Sequence, residues 1–294
     1  MASTQGYIHR AEYLAKRLAG RNAIHSSDAA FKLSKRNFGL LYYDTPDHGY
    51  RVGANFFVKH LKEKYNITLA VVQEYPNDYA AVQEQARSYI QKMKNAQPPV
   101  TSILCACDPI APALLTKEAT NQQYFPEWII TGSVLTDTTL FARTFDPAQW
   151  RSAFGISFLT ARVPSEQTDS YSFFKWHFGA KEPAADNTYG VIYPGPLTFA
   201  MGLTMAGPNL TVANWQKGLF SFPITNKNLL TAAQLSFGKH GVWDFTDYTA
   251  YDDVTEIYWD NQATGPDEVD NQGLGMYRYV NGGKRSLPGP HPTT

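Results

Sequence analysis

Phe38–Gly53 reads FGLLYYDTPDHGYRVG. An apolar run stops at Asp44, turns through Pro46 and His48-Gly49, and passes into helical spacing. A short run without polar breaks suits a strand buried on both faces, and the Pro/Asp/Gly cluster after it is turn chemistry. The same grammar continues downstream. ITLAVVQEY (67–75) reads as a second strand, followed by a helix from about Asp78 to Asn95. After the breaker QPP come the strand VTSILCAC (100–107), a turn at Asp108-Pro109, a helix from Pro112 to Gln122 and the strand EWIITG (127–132). Strands buried on both faces and alternating with helices predict an α/β fold with a doubly wound parallel sheet. In such sheets ligands sit beyond the carboxyl ends of the strands, here Asp44–Tyr50, Glu74–Asn77, Cys107–Pro109 and Thr131–Asp137.

Composition narrows the class. The chain has 294 residues, is 43% hydrophobic and carries zero formal net charge, so no overall field favours nucleic acid. The charge is uneven: residues 1–100 hold fourteen Lys/Arg against eight Asp/Glu, and Val242–Asp270 holds nine acids with no Lys or Arg. Eighteen Tyr and six Trp suit either a generously packed core or a cleft where ring edges are wet. Cys105 and Cys107, two apart, read as small buried hydrophobes, too close in sequence for an ordinary disulfide and without a second Cys/His pair to form a metal site. The polar N-terminus, MASTQGYIHRAEYLAKRL, lacks the apolar stretch of a secretory signal.

Around this sheet, YIHRAEYLAKRLAG (7–20) has helical spacing. SFLTARVPSEQ (157–167) reads as a strand leaving the sheet, and SEQTDSYSFFKWHFG (165–179) as an amphipathic helix with a Ser165 cap. Residues 188–206 form a long apolar helix with a kink or late start at Pro194 and Pro196. PNLTVANWQKGLFS (208–221) adds a helix capped by Asn209 or Thr211. VTEIYWD (254–260) and LGMYRYV (274–280) alternate as a terminal β-hairpin.

Three segments taken in order, Phe38–Gly53, residues 102–132 and residues 189–220, resemble the type I periplasmic binding proteins, the leucine/branched-chain amino-acid receptor family of ABC importers. The resemblance spans roughly residues 8–290. It implies a substrate-binding component for an amino acid or similar small polar solute, with a transporter permease as partner, no cofactor and no catalysis. It also implies a periplasmic or membrane-anchored extracellular location, whereas the chain as written, without a signal peptide, reads as cytoplasmic. A ligand-sensing module of the same fold is the alternative, and an enzyme on a doubly wound sheet the third reading.

The first element resembles the helix that ends lobe one of that family, and the β-α units expected before it are absent. The expected layout is therefore a helix and connection from lobe one (1–30), a complete lobe-two sheet (31–160), a helical remnant of lobe one (161–225) and a return to lobe two with its hairpin (226–294). Truncation of that kind implies impaired binding. It also leaves the helix at 190–206, apolar nearly all round, in need of cover by an oligomer or a second chain.

The resemblance implies that lobe two supplies an aromatic after the first strand, another aromatic after the third and an acid after the fourth. The resemblance carries these onto His48 with Gly49, onto Asp108 with Pro109, and onto the loop from Val134 to Asp137. Asp137 or Asp108 would then pair with a ligand ammonium, since a buried ammonium needs a counter-charge. Plainer roles compete: a polar loop residue for His48, an Asp-Pro turn and helix cap for Asp108, a capping role for Asp137. No G-x-S-x-G, H-E-x-x-H, P-loop or G-x-G-x-x-G pattern is present, so neither a catalytic nor a metal site is read from motifs.

Overall fold

A computed structural model describes residues 4–182, 191–224 and 233–288. The start of the apolar helix at 188–190, the 225/226 boundary and the tail beyond 288 lie outside these residues. The sheet runs in the order β2-β1-β3-β4-β5-β6-β7. Its strands are β1 (Phe38–Asp44), β2 (Val71–Pro76), β3 (Ser102–Ala106), β4 (Glu127–Ile130), β5 (Ala153–Ser157), β6 (Val254–Pro266) and β7 (Gln272–Tyr279). The first five are parallel; β6 joins β5 antiparallel and makes the expected hairpin with β7. A short β8 (Arg285–Ser286) also pairs with β6.

β1, β4 and β5 are buried along their whole length, as their unbroken apolar runs require. β2 corrects the expectation that every strand is buried on both faces. It is the edge of the sheet and only Tyr75 within it is fully covered, which explains the polar Gln73 and Glu74 that its sequence tolerates.

One face carries α4 (Tyr79–Lys94), α5 (Ala111–Asn121) and α7 (Pro147–Trp150), packed on Leu41, Tyr43, Ile103, Cys105 and Ile130. The other carries α1 (Thr4–Tyr13, continued as a π-helical turn over Leu14–Leu18) and α3 (Gly49–Tyr65), packed on Leu40, Tyr42, Leu104 and Ile129. Within each strand, alternation thus sorts successive residues into two separate cores. The N-terminal helix packs on this sheet. Tyr7, Ala11, Leu14 and Leu18 form its buried stripe, and Gly53 of α3 lets the two helices touch, since a Cβ there would lie 2.2 Å from the Tyr7 ring.

Several helices begin at side-chain caps. Asp78 accepts from the Ala81 amide to start α4, and Thr211 accepts from the Asn214 amide. The segment SFLTARVPSEQ is strand only to Ser157, after which it leaves the sheet as irregular chain with one short 3-10 turn at Ser165–Gln167. Thr168, three residues beyond the expected Ser165, caps α8 (Asp169–Phe178). α9 (Pro194–Ala206) follows a break at Tyr193, after helical Val191 and Ile192, with Pro at its first positions.

α9 and α10 (Val212–Ser221) pack on each other, with Gly202 against Trp215, and share a small cluster with Leu235, Phe237 and Ala250. Phe173, Trp176 and Phe199 remain exposed. Where the chain leaves and re-enters the sheet, buried Arg285 ties both passages together. It donates to the carbonyl oxygens of Phe158 and Leu159 and pairs with Asp253 at 2.7 Å.

Candidate functional site

From β1 the chain moves outward to β2, then returns to the other side of β1 as β3. This reversal opens a crevice at the carboxyl ends of β1 and β3. A cavity of about 290 Å³ lies there, on the face covered by α1 and α3. Its floor is set by register: Leu40 faces Leu104, and Tyr42 faces Ala106, all four lining the cavity. The loop after β4 contributes Thr131 to Val134, α3 contributes Tyr50 and Phe57, and the returning chain contributes Thr249 and Tyr251.

Side chains at this end are held from outside the cavity. The Tyr42 hydroxyl donates to Glu74 at 2.7 Å, and Arg51 donates to both carboxylate oxygens of Glu74 at 2.6 and 2.7 Å. Those Arg51 bonds bring the Glu74 carboxyl down to about 2. Ser133 donates to the Cys107 carbonyl oxygen and Thr131 to that of Cys105, both at 2.9 Å, so the β4 loop is moored to the end of β3. Gly132, at φ +64, makes the turn in a conformation that suits glycine and leaves no space for a Cβ against Phe158.

α1 adds a cation. Arg10 is 9% exposed and lines the cavity. Its Nε–H donates to the Thr131 carbonyl oxygen at 2.8 Å, and its guanidinium lies 4.9 Å from the Tyr7 ring centre and 5.7 Å from that of Phe158. Burial lowers the Arg10 pKa from its ordinary value. It raises that of the Tyr7 phenol, with the neighbouring Arg10 charge opposing.

The residues singled out from sequence stand around the same end of the sheet but do not line this cavity. His48 adopts the left-handed conformation before α3, half-exposed, with Nδ1 2.7 Å from Asp44 Oδ2; Gly49 opens the helix behind it. Asp108 turns inward: Oδ1 accepts from the Ile110 and Ala111 amides, starting α5, and Oδ2 accepts from the Tyr75 hydroxyl. Pro109 completes that turn. Asp137 is buried beside β5, where it accepts from the Ser157 hydroxyl, and burial raises its pKa to about 6.

Arg10, Tyr7, Tyr50 and Ser133 were not among those candidates. One signal for Arg10 exists: it falls three residues after Tyr7 and four before Leu14, a cation on the buried stripe of a helix.

Cys105 and Cys107 correct another expectation, since their sulfurs are joined. β3 ends at Ala106, and as the chain leaves the strand the two Cα atoms come within 5.1 Å, inside the range a disulfide spans. Both face the α4/α5 core, away from the cavity. Among the described residues, no three metal-ligating side chains cluster and no helix is long and apolar enough to cross a membrane.

No family model matches this sequence, and no curated protein does. Solved structures do resemble it. A fatty acid ABC transporter substrate-binding protein from Thermomonospora curvata aligns with TM-score 0.55 at 17% identity, over 97% of this chain and 62% of its own. An ABC transporter substrate-binding protein from Aeropyrum pernix gives 0.58 at 14%, over 99% and 66%. A solute-binding protein of an ABC transporter from Rhodopseudomonas palustris BisB5, in complex with 3,4-dihydroxybenzoic acid, gives 0.54 at 12%, over 97% and 65%. The fold is that of the type I periplasmic binding proteins, and this chain spans less than two thirds of the length of each of these relatives.

Proposed function

We propose that this chain binds a small organic solute at the carboxyl ends of β1, β3 and β4, as the substrate-binding part of an importer that delivers it to a permease. The observation that carries the reading is the cavity at the reversal of strand order, in a fold shared with substrate-binding proteins. The paired Cys105 and Cys107 fit an oxidising, periplasmic or extracellular setting. The walls come from one sheet, its covering helices and the returning chain, so micromolar or weaker affinity is expected. An amino acid is the class that the sequence resemblance favours. His48, Gly49, Asp108, Pro109 and Asp137 are proposed as rim and support of the site.

Calorimetric titration with amino acids, aliphatic and aromatic carboxylates, sugars and polyamines tests this reading. One class should bind with 1:1 stoichiometry, and Val134→Trp, which enlarges a half-exposed side chain of the cavity wall, should weaken that binding by about tenfold or more. Silence from every class, or binding indifferent to Val134→Trp, would overturn it.

A further inference from the structure

Arg10 tells more about the solute than the topology does. A guanidinium nine-tenths buried costs free energy unless a counter-charge or a full set of acceptors satisfies it. Arg285, also buried, has the Asp253 carboxylate and the carbonyl oxygens of Phe158, Leu159 and Asp253. Arg10 has only neutral protein partners: the Thr131 carbonyl oxygen, the Tyr7 hydroxyl and two aromatic faces. No carboxylate among the described residues lies within ion-pair distance of it. The remaining guanidinium N–H groups belong to a side chain that borders the cavity.

The rest of the wall limits what an anion there could be. No Asp or Glu lines the cavity, so an ammonium would enter without a partner. Asp137, whose charge acts on Arg10, is already bound to Ser157 and does not border the space. Leu40, Phe57, Leu104 and Phe158 make most of the surface apolar. The Tyr42, Thr131 and Ser133 hydroxyls of the wall already donate elsewhere, and a single cation suits a monoanion better than a phosphate, which asks for several.

Building on the solute-binding reading, we infer that Arg10 anchors the carboxylate of an organic monocarboxylate, whose apolar body fills the space between Leu40, Phe57 and Leu104. The deaminated acid, and not the α-amino acid, is then the preferred solute. Arg10 is prepared for this: the Thr131 carbonyl, the Tyr7 hydroxyl and the two rings hold the guanidinium at the cavity wall, where its planar fork suits a carboxylate.

The test pairs solutes that differ only at the charged end. 4-Methylpentanoate and phenylacetate are titrated against the intact chain at pH 7 beside their amides, and beside leucine and phenylalanine. The acids should bind at least about tenfold more tightly than either their amides or the amino acids. Arg10→Met should bring the acids down to the level of the amides, and Arg10→Lys should retain part of the preference. Circular dichroism checks that the variants fold; if Arg10→Met does not, the acid–amide comparison on the unaltered protein decides alone. Amides bound as tightly as acids, leucine bound more tightly than 4-methylpentanoate, or a folded Arg10→Met with unchanged preference would overturn the carboxylate anchor and leave solute binding standing. If none of the six compounds binds, the anchor is overturned too. A neutral sugar that binds and is excluded by Val134→Trp would show that solute binding outlives it.

Discussion

The two ends of the parallel sheet treat a buried arginine in opposite ways. At the amino end, Arg36 and Glu127 form a two-pronged pair at 2.7 and 2.8 Å. The same carboxylate also accepts from the Ser102 hydroxyl and the His25 amide. Both carboxylate oxygens of Glu127 are used there. At the carboxyl end, Arg10 is nearly as buried, yet it borders an open space and has no carboxylate beside it. A closed network contributes to a unique fold, whereas an open one keeps interaction energy for something that arrives later. The contrast separates residues that maintain the sheet from residues proposed to read a solute.

The largest expected effect breaks this contrast at its closed end. Glu127→Gln leaves Arg36 buried without a counter-charge and should cost about 3–5 kcal/mol, read as a fall in the denaturant midpoint. Arg10→Met removes a charge that has no carboxylate partner and should stay within about 1 kcal/mol of the unaltered protein. Equal losses at the two ends would erase the distinction.

A middle-sized effect concerns Asp137, near the open end. Its folded pKa of about 6 lies above the ordinary 3.8, so the folded protein holds the proton more tightly than the unfolded chain. This contribution is fully present below pH 3.8 and is lost as pH rises through about 6, a change of up to about 3 kcal/mol. Asp137→Asn should flatten that part of the stability curve between pH 4 and 6, measured as the difference from the unaltered protein by denaturant titration. A difference that stays constant with pH would mean Asp137 is already charged at pH 4.

The smallest effect is at His48. It is half-exposed and does not border the cavity, so His48→Ala should lower solute affinity by no more than about threefold, under 1 kcal/mol. A larger loss by calorimetry would move the solute out of the crevice and onto the rim.

Much of the architecture was legible in the sequence because each strand is marked by its own residues. Phe38–Tyr43 and Ser102–Cys105 carry no charge, Asp78 and Thr211 announce the helices they cap, and Asp108 marks the turn into α5. The position of β2 at the edge was not legible, since an apolar run says nothing about which neighbours it acquires. The packing of the helix at Thr4–Tyr13 was not legible either, because its partner, Gly53 on α3, is remote in sequence. The same distance hid the site. Strand-end loops can be found from strand order alone, and that led to His48, Asp108 and Asp137. The cation comes from a helix before the first strand, and only packing of α1 on α3 brings Arg10 to the crevice. The Cys105–Cys107 bond was missed for a local reason, because the strand was expected to run through both.

The antiparallel placement of β6 beside β5 bears on how the chain is made. β5 is buried along its whole length in the finished protein, but its partner on one side, β6, begins only at Val254. During synthesis the five parallel strands can assemble while α8, α9 and α10 are still emerging, and throughout that interval one edge of β5 is an unpaired apolar template. Closing that edge requires a contact between distant parts of the chain, which is slow to form. The vulnerable moment in the life of this protein therefore falls between Ser157 and Val254, before Arg285 arrives to fasten the two passages of the chain together.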